Sequence, residues 1–410
     1  MDKGFPAIEE VRQAARALAG VTYRTPLQES SYINDLLGGR VFFKLENLQR
    51  SGSFKLRGAY NRIRQLTPTE LKAGVVAASA GNHAQGVALA AGLVGTTAVI
   101  VMPEGASLTK IEATKAYGAE VYLHGQTFDD AFHEAERIRD RSGRVLIHAF
   151  DDPAVVAGQG TVGLEMMDER PTLDVLVVPV GGGGLISGVA LAAKALNPGV
   201  KVIGVQAAGA AAMVESVRQH RLVPAESVRT IADGIAVKHP GALTFRMIEH
   251  YVDELVTVDE HDISRAILIF LERSKLLVEG AGAVGLAALL AGKVPLRNHN
   301  VATVVSGGNI DVTLLNRIIE KGLVEEGRQV QFRTVIGDRP GQLVQLLNHV
   351  ARERANVLRV QHERWDPGLS PAEVRVDLVV ETRDAQHVRE LLDSLEAAGY
   401  VLEPKIPARS

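Results

Sequence analysis

The amino-acid sequence predicts an α/β protein with parallel sheets, followed by a small α+β domain. Short β-branched runs alternate with helical stretches from Val75 onward, which is typical of parallel strands joined by helices. Glycine-rich turns follow several apolar runs at the point where a strand passes into a helix. The order strand, helix, strand, strand, helix, strand after residue 326 predicts a ferredoxin-like α+β domain.

Hydrophobic periodicity gives the elements of the α/β part. The predicted strands are Val75 to Ala78, Thr97 to Met102, Glu120 to Leu123, Val145 to Phe150, Val175 to Val180 and Val202 to Gln206. The predicted helices are Gln85 to Leu93, Thr109 to Tyr117, Phe128 to Arg141, Leu185 to Leu196, Ile263 to Leu277 and Val312 to about Lys321.

A polar joint at Glu325 to Gln329 predicts a domain boundary between residues 325 and 326. The predicted elements beyond it are strand Val330 to Ile336, helix Gln342 to Arg352, strand Asn356 to Glu363, strand Glu373 to Glu381, helix Ala385 to Ala398 and strand Tyr400 to Leu402. The chain is therefore expected to have a first domain of residues 1–325 and a second of residues 326–410.

Lys55 lies among small and apolar neighbours in the segment Ser53 to Gly58, at the predicted start of a helix. Burial disfavours an ammonium group, so a partly buried lysine provides the neutral amine that Schiff-base chemistry needs. Most lysines are solvated surface residues, and the segment taken alone is also explained in that way.

Four glycines, Gly181 to Gly184, stand between the apolar run that begins at Val175 and a predicted helix that begins at Leu185. Such a loop lets backbone N–H groups converge on an anion, and the helix N-terminus adds its positive dipole end. A flexible linker is the alternative, but linkers seldom join a buried strand to an apolar helix. The pattern favours a phosphate-binding loop.

Two further strand-to-helix turns carry polar groups. The segment Ser79 to His83 offers a hydroxyl, an amide and backbone donors to a substrate carboxylate. Taken alone, this segment is better explained by Ser79 or Asn82 capping the helix and by His83 packing in the interior. The segment Val304 to Asn309 ends an apolar run in small residues, and its Ser306 hydroxyl can face a crevice shared with the other turns. An ordinary turn also explains this second segment.

Together these segments resemble the pyridoxal-phosphate enzymes of the tryptophan-synthase-β-like class, most closely the threonine dehydratase and serine racemase branch. The resemblance covers nearly all of residues 5–325, through S-G-S-F-K-L-R-G-A, S-A-G-N-H-A-Q-G-V-A, V-P-V-G-G-G-G-L-I-S-G, I-A-D-G-I-A-V-K and S-G-G-N in family order. It implies a two-lobed catalytic domain with the cofactor between the lobes, the small lobe being about residues 53–150.

The same resemblance implies roles for single residues. Lys55 would bind the cofactor aldehyde, Asn82 would contact the ring oxygen, and Ser306 would face the pyridine nitrogen. The cofactor-binding set that it implies is Phe54, Lys55, Asn82, Gly181, Gly182, Gly183, Gly184, Leu185, Glu279 and Ser306. The substrate carboxylate would lie against Ser79, Ala80, Gly81, Asn82 and His83.

The expected reaction is β-elimination. Lys55, once released by the substrate amine, can remove the Cα proton. A neutral hydroxyl at Ser306 does not hold a pyridinium as a carboxylate would, so the ring is a weaker electron sink and prompt loss of a β-hydroxyl is favoured. L-Threonine would then give 2-oxobutanoate and ammonia, and L-serine would give pyruvate.

The sequence is also compatible with two alternatives. A serine racemase or a general serine/threonine deaminase shares the cofactor motifs, but the racemases have a serine as acid/base where this chain has Ala80. They also bind a divalent metal through acidic residues where this chain has Gln206 and Ala212, so no metal is expected. The non-enzyme alternative is an amino-acid sensor built on an inactive catalytic domain.

Two charged residues lie near the motifs, Arg57 and Glu279. Glu279 matches a glutamate near the cofactor edge in related enzymes, but Gly280 replaces the usual proline after it, and a solvated helix-cap charge is equally compatible. Arg57 is expected to fix the lysine helix through a salt bridge rather than to touch the substrate.

The D-R-P-G-Q-L segment at the first turn of the second domain resembles the ACT regulatory domains that bind amino acids. This implies feedback by isoleucine, opposed by valine, in an enzyme at the entry to isoleucine synthesis. The alternative is a structural or oligomerising domain without a ligand. Members of this type are commonly tetramers, so a homotetramer is expected.

Composition excludes several classes of function. The 410 residues carry a formal net charge of −3 and only 4% aromatic residues, which offers neither a basic patch nor stacking platforms for nucleic acid. The chain has no cysteine, so disulfides and thiolate metal sites are excluded. The first twenty residues show no secretory signal, and no membrane association is expected; the sequence predicts a cytoplasmic protein.

Overall fold

The computed structural model describes residues 4–365 and 368–404. The chain divides into two compact units, the first ending at Ile310 and the second beginning at Asp311. This division lies one helix before the boundary that the sequence predicts at residues 325 and 326. The difference arises because the helix Val312–Glu325 groups with the second unit, where the turn that ends it is held by a hydrogen bond from Thr382 Oγ1 to the Gly327 carbonyl.

Parallel strands and the helices that join them make up the first unit. Its helices are α1 (Ile8–Leu18), α2 (Ser31–Leu37), α3 (Lys55–Ile63), α4 (Pro68–Ala73), α5 (Asn82–Val94), α6 (Leu108–Ala116), α7 (Phe128–Ser142), α8 (Pro153–Glu169), α9 (Gly184–Leu196), α10 (Ala212–Arg218), α11 (Ala242–Tyr251), α12 (Glu260–Ile269) and α13 (Gly280–Leu290). Its strands are β1 (Leu27–Glu29), β2 (Arg40–Leu45), β3 (Val75–Ala78), β4 (Ala98–Met102), β5 (Glu120–Leu123), β6 (Val145–Leu146), β7 (Val175–Pro179), β8 (Lys201–Ala207), β9 (Glu254–Val258) and β10 (Asn300–Val305).

These strands form two sheets, each with its own apolar core. The larger sheet has the order β1-β2-β10-β7-β8-β9, in which only the β1–β2 pair is antiparallel, and the smaller sheet has the order β5-β4-β3-β6 with all strands parallel. Every residue of β7 and of β3 is buried, as expected of strands covered by helices on both faces. The predicted parallel α/β class is confirmed.

Two predicted elements of this unit are too long. Strand β6 ends at Leu146 rather than Phe150, because His148 Nδ1 accepts hydrogen bonds from the backbone N–H groups of Phe150 and Asp151 and the chain turns there. Helix α12 ends at Ile269 and passes into a π-helical turn, Phe270–Ser274, after which Lys275 adopts a left-handed φ of 58°.

The second unit contains helices α14 (Val312–Glu325), α15 (Gln342–Arg352) and α16 (Ala385–Ala397), and strands β11 (Gln329–Gly337), β12 (Asn356–Glu363), β13 (Glu373–Glu381) and β14 (Leu402–Pro404). The antiparallel sheet has the order β12-β13-β11-β14, and its core includes side chains from α15 and α16. The order β-α-β-β-α-β is the predicted one, with the last strand two residues later than expected.

Among the described residues, none of the helices is both long and apolar enough to cross a lipid bilayer.

Candidate active site

A cavity of about 440 Å³, open to solvent, lies where several strands of the first unit end and several helices begin. Strands β7 and β10 end beside it, and helices α3, α5 and α9 start there. It is lined by Phe54, Lys55, Asn82, Phe150, Pro179, Gly181, Gly182, Gly183, Gly184, Leu185, Gly234, Ile235, Glu279, Ala281 and Ser306. The structure therefore brings the predicted cofactor-binding residues together around one space.

Lys55 is the first residue of α3, and its half-buried side chain places the amine in this cavity. The Nζ atom donates a hydrogen bond to the Ala149 carbonyl at 3.0 Å and lies 5.3 Å from the centre of the Phe54 ring. Burial lowers the pKa of Lys55 to about 8, although the charge of Glu279 acts in the opposite direction. The amine is thus partly neutral near physiological pH, which is the form that attacks an aldehyde.

Glu279 immediately precedes α13 and faces the same cavity. Its Oε1 atom accepts a hydrogen bond from Asn82 Nδ2 at 2.7 Å. Burial raises the pKa of Glu279 to about 7, while Asn82 and Lys110 oppose the shift and Asp233 reinforces it. The side chain is only 8% exposed and makes no capping hydrogen bond to α13, so the alternative of a solvated helix cap is wrong.

The four glycines form a tight loop at the N-terminus of α9. A Cβ atom on Gly182 would lie 2.4 Å from the Phe150 ring, and one on Gly184 would lie 2.9 Å from the Phe150 backbone. Gly183 has a left-handed φ of 93°, which strains other residues. The backbone therefore closes on the cavity at positions where no side chain fits, and the flexible-linker alternative is wrong.

This glycine loop, a buried amine and a buried hydroxyl fit a phosphorylated aldehyde cofactor. Backbone N–H groups at a helix N-terminus suit the phosphate, and Lys55 suits the aldehyde. Ser306 is 2% exposed and follows β10, and its carbonyl accepts a hydrogen bond from the Phe54 N–H at 3.2 Å. That hydrogen bond joins the segment before Lys55 to the one that carries the hydroxyl.

The predicted carboxylate-binding segment follows β3 and leads into α5. Of Ser79 to His83, Asn82 is the residue that lines the cavity, while Ser79, Ala80 and Gly81 are half-buried beside the helix N-terminus. Ser79 Oγ accepts a hydrogen bond from the Gly81 N–H at 3.1 Å. Their contact with a substrate carboxylate stays a prediction.

His83 belongs to the packing of the small sheet. Its Nε2 atom lies 2.9 Å from the Ile147 carbonyl, so this nitrogen carries the hydrogen and donates it. Burial, helped by the charge of Lys55, lowers the pKa of His83 to about 3. The imidazole is therefore neutral across the physiological range and unsuited to binding a carboxylate as a cation.

Four charged side chains, here called the buried charge cluster, lie beside the first turn of α3: Lys44, Glu46, Arg57 and Glu165. Arg57 belongs to α3 and stands two residues after Lys55. Arg57 donates to Glu46 at 2.8 Å and to Glu165 at 2.6 Å, and Lys44 Nζ donates to Glu165 at 2.6 Å. Burial acts to raise the pKa of Glu46, but Arg57 and Lys44 together hold it below its ordinary value. The predicted salt bridge of Arg57 to its surroundings is confirmed.

The residues in the position of a metal site do not fit a cation. Gln206 Nε2 donates to the Val180 carbonyl at 3.2 Å, and Gln206 Oε1 accepts from the Val214 N–H at 2.8 Å, so backbone groups occupy both ends of the amide. Ala212 offers no ligand atom. Within residues 4–365 and 368–404, no three His, Cys, Asp or Glu side chains cluster as a metal site would require.

Several residues of the cavity were assigned no role from the sequence. They are Ala149, whose carbonyl binds Lys55, and the lining residues Phe150, Pro179, Gly234, Ile235 and Ala281. Phe150 had one available signal, since it is an aromatic residue at the carboxyl end of a predicted strand, where sites of parallel sheets form. Pro179, Gly234 and Ile235 lie within the segments V-P-V-G-G-G-G-L-I-S-G and I-A-D-G-I-A-V-K that carry the family resemblance. The positions of Ala149 and Ala281 depend on the fold.

Comparison with known proteins agrees with this geometry. Residues 18–307 match the family model described as pyridoxal-phosphate dependent enzyme. An L-threonine ammonia-lyase of Thermotoga maritima is 52% identical over 393 residues, which is 96% of this chain and 98% of that protein.

Two solved structures are similar as well. The processed form of threonine deaminase isoform 2 from Solanum lycopersicum is 39% identical with a TM-score of 0.72, covering 76% of this chain and 93% of that one. Maize serine racemase is 37% identical with a TM-score of 0.73, covering 78% of this chain and 98% of that one. The chain thus belongs to the family of pyridoxal-phosphate dependent enzymes.

Proposed function

We propose that this enzyme is a lyase that converts L-threonine to 2-oxobutanoate and ammonia. The observation that carries the proposal is the buried amine of Lys55, which shares one cavity with the glycine loop and the Ser306 hydroxyl. The Thermotoga maritima relative, which matches almost the whole chain, is an L-threonine ammonia-lyase.

Pyridoxal phosphate, when bound, supplies an electron sink that acidifies the hydrogen on the substrate α-carbon. In this chain Gly181 to Gly184 would hold its phosphate and Lys55 its aldehyde. Asn82 would face its ring oxygen and Ser306 its ring nitrogen. Phe54 and Leu185 line the same space and add apolar walls.

Lys55 then serves as the base that removes the α-hydrogen. Its lowered pKa leaves a neutral amine able to accept a proton, and the Ala149 carbonyl orients Nζ. Phe150 and Ile235 add apolar surface to the same cavity. Ser306 would offer a neutral hydroxyl rather than a carboxylate to the ring nitrogen, which would favour prompt departure of the β-hydroxyl over return of the proton.

Serine racemisation is the second candidate, favoured by the similarity to maize serine racemase. A racemase must return a proton on the face of the α-carbon opposite the lysine. The resemblance in sequence puts Ala80 at the position of that donor, and a methyl group has no proton to give. Elimination is therefore the better supported reaction.

The test is release of 2-oxobutanoate from L-threonine by the cofactor-loaded protein, with Lys55→Ala as the matched blank. Removal of an essential base and cofactor anchor is expected to lower the rate by at least about 10³-fold. Absence of any oxo acid from the wild type contradicts the proposal. Formation of D-serine from L-serine without pyruvate would favour a racemase, and a protein that never binds the cofactor would favour an amino-acid sensor.

The second unit is proposed to regulate the first by binding a branched-chain amino acid, with isoleucine inhibiting and valine opposing it at the entry to isoleucine synthesis. The supporting observations are the ferredoxin-like strand order and the turn that carries Asp338, which pairs with Arg364 at 2.9 Å. Calorimetric titration of the full chain with isoleucine tests this, and the absence of binding heat together with unchanged activity contradicts it. Assembly into a homotetramer is proposed too, and light scattering measures it.

A further inference from the structure

We propose that Asn309 is a positioning residue, which fixes the side-chain amide of Asn82 with its nitrogen directed toward Glu279 and the cavity. The inference deepens the proposed function, because it assigns a new role in the cofactor site on which that function rests. It stands on a chain of three side chains, Asn309, Asn82 and Glu279, called here the amide relay.

The backbone determines the orientation of the first amide. Asn309 Nδ2 donates to the Ser51 carbonyl at 3.0 Å and to Asn82 Oδ1 at 2.7 Å. A backbone carbonyl can only accept, so the nitrogen end of the Asn309 amide must face Ser51. Since two amide nitrogens cannot donate to each other, the end of Asn82 that meets this nitrogen must be its oxygen.

The orientation of Asn82 follows from that contact. With its oxygen toward Asn309, the Asn82 nitrogen donates to Glu279 Oε1 at 2.7 Å. An amide nitrogen carries two hydrogens, so one remains for an oxygen atom of a ligand in the cavity that Asn82 lines. The reverse orientation would place the amide oxygen against the Glu279 carboxylate and remove this donor.

Asn309 is itself held by the loop that leads into Lys55. Gly52 has a left-handed φ of 72°, and a Cβ atom there would lie 2.5 Å from Asn309 Oδ1. The Gly308 N–H donates to the Gly52 carbonyl at 2.9 Å, which pairs the two segments. The loop before Lys55 thus leaves room for Asn309 and fixes it, so one backbone pairing places both the amine and the relay.

The charged groups around Glu279 make the relay sensitive to protonation. Lys55 faces it from α3, Lys110 from α6, and Asp233 from the turn Asp233–Ile235. The hydrogen bond from Asn82 favours the carboxylate form of Glu279, against burial. Reversal of the Asn82 amide would remove that donor and raise the pKa of Glu279 further.

The test is a spectral titration of the cofactor-free protein with pyridoxal phosphate, comparing wild type with Asn309→Asp. Aspartate has the size of asparagine but no donor, so Asn82 must turn its nitrogen toward it. Loss of one oriented donor predicts cofactor binding weaker by about tenfold. The pH at which the bound cofactor changes its absorption is also expected to move upward.

Asn47→Ala is the matched control, because the Asn47 amide donates to the Leu277 carbonyl at 3.1 Å and does not line the cavity. Its dissociation constant for the cofactor is expected to stay within about twofold of the wild-type value. Gly52→Ala gives a second way to displace Asn309 while keeping its amide, and it should weaken cofactor binding in the same direction. If Asn309→Asp does not fold, the cofactor affinity of Gly52→Ala tests the proposal instead.

A purely structural role for Asn309 would lower thermal stability without changing cofactor affinity or the pH of the spectral change. Cofactor affinity within about twofold of wild type in folded Asn309→Asp, or in folded Gly52→Ala when only that variant folds, would overturn the proposal. The titration contains no amino acid, so its result is independent of whether threonine is the substrate. Failure of the relay and failure of the proposed reaction are therefore separate outcomes.

Discussion

Two sets of buried charged groups lie close to the start of α3, and they differ in their partners. In the buried charge cluster, Arg57 contacts Glu46 and Glu165 at 2.6 to 2.8 Å. In the cavity, Lys55 donates to a backbone carbonyl and Glu279 accepts from an amide, so their contacts are neutral groups. The pKa values of Lys55, about 8, and of Glu279, about 7, therefore lie near neutral pH, whereas the pKa of Glu46 in the charge cluster lies below its ordinary value.

The two carboxylates show that burial alone does not determine the pKa. Glu46 is 0% exposed and Glu279 is 8% exposed, but Arg57 holds the pKa of Glu46 below its ordinary value while burial raises that of Glu279 to about 7. An ion-paired carboxylate stays charged and holds the fold together. A carboxylate without such a partner can exchange protons, which is typical of functional sites.

Breaking the charge cluster is expected to have the largest effect on stability. Arg57→Met leaves Glu46 buried without its guanidinium, which typically costs about 3 to 5 kcal/mol in free energy of unfolding. Denaturant unfolding of the cofactor-free protein measures it. Arg40→Ala is the control, since Arg40 pairs with Glu29 at 2.7 Å on the surface and should cost less than about 1 kcal/mol. Equal losses of free energy of unfolding in Arg57→Met and Arg40→Ala would contradict the stabilising role of the buried charge cluster.

Removing the titrating carboxyl of the cavity should have an intermediate, pH-dependent effect. The folded-state pKa of Glu279, about 7, exceeds its ordinary value of 4.5, so the folded protein binds more protons between these values and loses stability as pH rises through that range. Glu279→Gln cannot show this loss. The difference in free energy of unfolding, Glu279→Gln minus wild type, should therefore increase by about 1 to 3 kcal/mol between pH 4.5 and pH 8. A difference independent of pH would refute the raised pKa.

A partly exposed ion pair of the first unit should contribute least to the free energy of unfolding. Lys110 Nζ lies 3.1 Å from Asp233 Oδ2, with side chains 25% and 67% exposed. Lys110→Met is expected to change the free energy of unfolding by less than about 1 kcal/mol, and 1 M salt should reduce the difference. Loss of more than about 2 kcal/mol that salt does not alter would show that Lys110 belongs with the buried pairs.

The residues of the cavity that lie in short, recognisable segments of the sequence could be predicted. Lys55 and the glycine loop each lie in a short segment whose pattern of strand, turn and helix is visible along the chain. Ala149 and Asn309 were not assigned a role, because their contacts with Lys55 and Asn82 join residues 94 and 227 positions apart. Such contacts depend on how the sheets pack, which periodicity does not encode.

The bounds of strands and helices could likewise be predicted where the signal is local in the sequence. Strands β12 and β13 have the predicted bounds, because alternating apolar residues and turn residues mark them locally. Strand β6 is shorter than predicted because a side chain, that of His148, captures the backbone N–H groups that follow it. A salt bridge of Arg57 could be predicted from the sequence, but its partners could not. Glu165, for example, is 108 residues away along the chain.

The most direct test of the comparison uses two lysines from the two regions, Lys44, which is fully buried in the charge cluster, and Lys55, which is half-buried in the cavity. Borohydride reduction of the cofactor-loaded protein turns the bond between cofactor aldehyde and lysine amine into a stable secondary amine, and peptide mapping then locates the label. The label is expected on Lys55 and not on Lys44, whose Nζ donates hydrogen bonds to Glu165 and to the Thr25 carbonyl. A label on Lys44, or on no lysine of the cavity, would contradict this expectation.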